Sequence, residues 1–72
     1  MLPEWKLFIK EIECKKENLQ GADLGNTKLM GANLAGADLT DADLSICYLI
    51  KADLSNANLT NADMTGAVMS EA

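Results

Sequence analysis

Histidine is missing altogether from the 72 residues. With it go the commonest general base and the commonest metal ligand. No Cys–His nucleophile pair and no Ser–His–Asp triad can be assembled. Glycine-rich phosphate loops are absent too. No enzyme activity, cofactor or metal is therefore expected. Cysteine is scarce: Cys14 and Cys47 are the only two, whereas a small secreted scaffold normally carries four or more. The expected setting is a reducing, cytoplasmic one, with no disulfide between them. Long apolar runs are lacking. The longest, Ile46–Ile50, has five residues, against the about twenty that a membrane-spanning helix needs. The N-terminus alternates Glu4, Lys6, Lys10 and Glu11 with apolar residues, unlike a signal-peptide core. Basic residues are few, six against eleven acidic, for a net charge of −5. That balance argues against direct nucleic-acid binding, which needs a basic face. An acidic module can still dock on a basic protein. A chain this short forms one small domain.

What the sequence does have is a repeat. Leucine or methionine stands at 19, 24, 29, 34, 39, 44, 49, 54, 59, 64 and 69, an unbroken period of five. Two places earlier sits a small residue: Ala22, Ala32, Ala37, Ala42, Ala52, Ala57, Ala62 and Ala67, with Thr27 and Cys47 as substitutes and Glu17 as the one break. Asp or Asn usually lies between. A period of five fits neither a helix, where successive leucines scatter around the axis, nor a straight strand, where they alternate faces. All can share one core only if the backbone turns once per unit. Gly21, Gly31, Gly36 and Gly66, with Asn26, Asn56, Asn61 and Asp41, hold the last place of a unit and read as the corners.

The unit Ala-(Asp/Asn)-Leu-x-x resembles the motif of the pentapeptide-repeat family, over residues 17–71 at least. The resemblance implies an all-β fold, a right-handed quadrilateral β-helix with four units, or 20 residues, per coil. In the same phase, Ile12-Glu13-Cys14-Lys15-Lys16 forms a further unit with Cys14 in the central place. Twelve units then make three coils over 12–71, a body about 15 Å tall at the strand spacing.

Residues before the repeat differ in character. Trp5, Phe8, Ile9 and Ile12 make one helical stripe, and Pro3 and Glu4 suit a helix start. A short helix over 3–12 is expected to cap the open N-terminal end; docking to a membrane surface or a partner is the other reading. The domain division is 1–11 for the cap and 12–72 for the repeats.

The inward Leu, Met and Ala positions read as core, and so do Cys14 and Cys47. Three outward features remain. Asp23, Asp43 and Asp63 form an acidic column. It reads as ordinary solvated motif residues, or as a phosphate-imitating strip; cation binding fits less well, since one column lacks the oxygens calcium takes. Met30, Tyr48, Ile50 and Val68 put apolar groups on another face, near Lys28, Lys51 and Glu71. They suggest a contact patch, though drift at tolerant positions or coverage by the N-terminal segment would also account for them. The last coil, with Leu54, Leu59, Met64 and Met69, has no cap and an open edge. A second copy, another protein or further chain would cover it. Family members often dimerise end to end here, so the resemblance implies a homodimer.

The expected function is a non-catalytic protein-interaction or scaffold module that self-associates through its C-terminal coil or apolar face. The alternative is an acidic DNA mimic that inhibits or protects a DNA-binding enzyme, as some members of this largely bacterial family protect DNA gyrase. Three coils make a short rod for that task.

Overall fold

A computed structural model describes residues 1–71. It opens with α1 (Glu4–Cys14), followed by a single 3₁₀ turn at Lys16–Asn18. Pro3 is the N-cap; its carbonyl accepts from the amides of Lys6 and Leu7 at 3.0 and 3.2 Å. A proline costs nothing there, because the missing N–H would have had no helical partner. α1 closes with the Lys15 amide on the Ile12 carbonyl.

From Gly21 onward one local pattern recurs. In nearly every unit the amide at the small-residue place donates back to the carbonyl of the leucine three residues earlier, as Ala32 does to Leu29 and Ala52 to Leu49. The residue before it has positive φ at eleven successive corners, Gly21 to Glu71. That geometry is a tight turn whose third residue must enter the left-handed region. Thr27 is the variant: its hydroxyl, not its amide, donates to the Leu24 carbonyl, at 2.6 Å.

The straight pieces between corners stack on one another. Single residues pair in parallel at an offset of twenty: Asp23 with Asp43 and Asp43 with Asp63, Lys28 with Tyr48 and Tyr48 with Val68, Asn33 with Asp53, Asp38 with Asn58. Two amide rules hold the stack. Leucine-place and corner amides donate to the carbonyl nineteen residues ahead, as Leu24 does to Asp43 and Asn26 to Ser45. Asp/Asn-place amides donate to the carbonyl twenty-one residues behind, as Asp43 does to Ala22 and Asp63 to Ala42. No continuous strand forms among the described residues, because the corners come too close together. The ladders consist of isolated bridges.

The leucines converge on one axis. Leu29, Leu34, Leu39, Leu44 and Leu49 have no exposed surface, and Ala32, Ala37, Ala42, Ala52 and Cys47 are buried beside them. Each buried leucine contributes about 1.5–3 kcal/mol by leaving water. Small residues at the alternate place let the wall close on that narrow axis. The exit from α1 departs from expectation. Ile12, Glu13 and Cys14 are helical, so 12–16 is not a repeat unit. Cys14 is exposed, not core. The repeats are eleven units, one short of three complete coils. The helical stripe prevails because Ile9 and Ile12 are both buried on the core when it continues, whereas an extended Cys14 would add only one small side chain to the axis. The expected boundary at 11/12 thus falls inside α1, and Ala72 lies outside the described residues. No helix among those residues is long and apolar enough to cross a membrane.

Candidate functional site

The acidic column forms as a column. Asp23, Asp43 and Asp63 bridge one above the other. Their carboxylates are also occupied locally. Asp43 Oδ1 accepts from the amide and hydroxyl of Ser45 at 2.9 and 2.6 Å, and Asp63 Oδ1 from those of Thr65 at 3.0 and 2.7 Å. Asp23 meets Gly25, which has only an amide to offer, at 3.3 Å. The same clamp recurs at Asp38–Thr40, Asp53–Ser55 and Asn58–Thr60. An Asp or Asn with Ser or Thr two places on therefore fixes the approach to each corner. The Thr65 hydroxyl, with its amide, holds the Asp63 carboxyl below its ordinary value. Among the described residues no cluster of three or more Cys, Asp or Glu is arranged to hold a metal.

The apolar face divides in two. Tyr48 and Val68 stack in one column and stay 41 % and 36 % exposed. Met30 and Ile50 lie two residues on, where the next corner begins, and are half-buried. Met30 lines an open groove of about 390 Å³ against α1, with Trp5, Lys6, Ile9 and Lys10. Ile46, not singled out from the sequence, is the most exposed apolar side chain of the repeats at 52 %. It sits at a corner with φ 55°, a conformation that β-branched residues resist. Its signal was legible: it holds a last place where Gly, Asn or Asp usually stands.

The C-terminal end is where the core thins. Leu54, Leu59 and Met64 are half-buried and Met69 is 39 % exposed, while their counterparts one turn earlier are sealed. Leu54, Leu59 and Met69 line an open groove of about 600 Å³ with Lys51, Asp53 and Glu71 on its rim. The amides of Leu54, Asn56, Leu59, Asn61, Met64 and Gly66 have no backbone partner among the described residues.

Both thiols are free. Cys47 lies in the wall, 3.5 Å from Thr27 Oγ1, and burial pushes its thiol up. It behaves as a small apolar group.

These features define a repeat protein whose distinctive chemistry lies on its outside and at one end. A family model for pentapeptide repeats matches eight copies over residues 18–45 and 47–72. The chain belongs to the pentapeptide-repeat family. Proteins of that family are generally non-catalytic structural or interaction modules. A search of curated proteins returns no match.

Proposed function

We propose that the chain is a non-catalytic interaction module that self-associates through its C-terminal end and keeps the Tyr48 face for a protein partner. Its coils follow the family's right-handed quadrilateral β-helix, a reading supported by the twenty-residue register of the parallel bridges. Its setting is the reducing cytoplasm, in keeping with two unpaired cysteines. The observation that carries the association reading is the gradient of burial along the axis. Leucines that are sealed in the middle give way to Met69, 39 % exposed, at the C-terminal end. An exposed apolar layer bounded by unpaired amides is both hydrophobic and edge-active. A second copy brought up to it covers both at once.

The DNA-mimic reading is less well supported. The column carboxylates are engaged in clamps that the fold itself needs.

Light scattering across a dilution series tests the proposal on three chains: the intact one, Met64→Lys/Met69→Lys, and Tyr48→Glu/Val68→Glu. The expected outcome is a dimer for the intact chain, a monomer for the end variant, and an unchanged dimer for the face variant. An intact chain that is monomeric at every concentration overturns the proposal. So does an end variant that still dimerises.

A further inference from the structure

The two ends of a parallel ladder are complementary. Whatever the C-terminal edge leaves unpaired, the N-terminal edge of another copy is built to supply. The carbonyls of Ala62 and Ala67 head the columns of Asp63 and Val68 and receive no amide. The amides of Asp23 and Lys28, at the foot of the same columns, donate to no backbone carbonyl. By the twenty-one-residue rule, these are the groups that would bond if one copy sat on top of the next. Such head-to-tail contact does not close, so it would run on into a filament.

The N-terminal edge is occupied in two other columns. The rule sends the Asn33 amide to the carbonyl of Ile12, but that carbonyl is turned into α1 and accepts from Lys15. Glu13 takes its place, with Oε2 2.7 Å from the Asn33 nitrogen. The rule sends the Asp38 amide to Glu17, and the Lys16 carbonyl meets it at 2.8 Å, one residue out of register. α1 itself buries Ile9 and Ile12 on the adjoining leucine layer. A side-chain oxygen thus stands in for the missing twelfth unit, and a slipped carbonyl for the first place of the unit that follows. They satisfy the edge in those two columns without presenting a continuing one, and leave the Asp23 and Lys28 amides open.

We propose that α1, with Glu13 as its latch, is a stopper that prevents a second copy's C-terminal edge from adding to this end. The occupant it excludes is a copy of this same chain. The device limits self-association to closed contacts between C-terminal ends and forbids open-ended growth. It stands whether or not the intact chain dimerises, since it concerns the opposite end.

The test uses the full chain with Ile9→Asp/Ile12→Asp, which removes the helix's apolar hold. Light scattering and electron microscopy should show mass that climbs with concentration and time, in unbranched particles. Their axial repeat should match the strand spacing of about 4.8 Å per coil. Adding Met64→Lys/Met69→Lys should stop the growth, because it spoils the complementary edge. A folded variant that keeps the intact chain's mass overturns the proposal, as does growth indifferent to the C-terminal lysines. Should the double aspartate variant lose its folded circular-dichroism signal, Glu13→Ala decides, because it leaves the apolar contacts in place. It should elongate at high concentration where the intact chain does not, and an unchanged mass counts against the stopper. A monomeric intact chain bears only on the dimer reading.

Discussion

Ile46 and Gly66 occupy the same corner on consecutive turns of the stack, and a Cβ placed on Gly66 would lie 3.4 Å from Ile46 Cγ1. A corner side chain branched at Cβ is thus followed, one level up, by the residue with no side chain at all. Ile46 also holds φ 55°, where an L-residue with a branched Cβ is strained by roughly 1–2 kcal/mol. Asparagine tolerates that region and stands at 26, 56 and 61 in the same place of the unit. Ile46→Asn should therefore stabilise the chain by about 1 kcal/mol, read as a higher midpoint in thermal unfolding. A lower midpoint would mean that Ile46 makes a packing contribution larger than its strain.

Core truncations should reproduce the axial gradient. Leu34 has no exposed surface, so Leu34→Ala should cost about 2–5 kcal/mol. A domain of this length is stable by only roughly 4–11 kcal/mol in total, so that variant should be largely unfolded on modest heating. Leu59 is half-exposed, and Leu59→Ala should cost well under half as much in dilute solution. Denaturant titration of both decides. Equal losses would contradict the graded core.

Acid should weaken the corners. The Thr40 hydroxyl lowers the Asp38 carboxyl, helped by the Gln20 amide group and the Thr40 amide; Ser55 lowers Asp53 and Thr65 lowers Asp63 in the same way. A carboxyl lowered on folding stabilises the folded chain above its unfolded value, here near 3.8, and that contribution fades as pH falls through the folded values. The unfolding midpoint should be level from neutral pH down to about 5 and decline below about 4. Asn58 makes the same clamp without a charge. Asp38→Asn/Asp53→Asn/Asp63→Asn should therefore fold and show a flatter acid limb. An acid limb unchanged in the triple variant would place the sensitivity elsewhere.

The repeat was readable because its period matched no ordinary element. Nine leucines and two methionines at an unbroken spacing of five require a turning backbone, and the positive φ at Gly21, Asn26, Asp41 and Asn61 falls where the corner residues indicated. The start of the repeat differs from expectation for a definite reason. Ile12 fits two patterns, the small-residue place of the repeat and the stripe begun by Trp5, Phe8 and Ile9. Periodicity alone does not choose between them. The burial of Ile9 and Ile12 together does, and it carries Cys14 into α1 and out to solvent. Glu13 was invisible for another reason: its role depends on an amide twenty residues away that only the stacked register brings near. The clamps by Ser and Thr stood in the sequence as Asp-Leu-Ser, Asp-Leu-Thr and Asp-Met-Thr, but their meaning needed the corner geometry. The apolar face, one patch in the sequence, is two in the fold. Tyr48 and Val68 stay on the straight piece, whereas Ile50 and Met30 stand where the next corner begins, and Met30 there lines the groove against α1.

The most direct test of association at the C-terminal end is amide hydrogen exchange followed against protein concentration. The amides of Leu54, Leu59, Asn61, Met64 and Gly66 have no backbone partner within the described chain, whereas those of Leu34, Leu39 and Leu44 are bonded at 2.7–2.8 Å. If a second copy covers this end, the first group exchanges fast in dilute solution and becomes protected as concentration rises, while Lys28 and Asp23 at the other end do not change. If the first group exchanges fast at every concentration, the C-terminal edge is not where this protein meets itself.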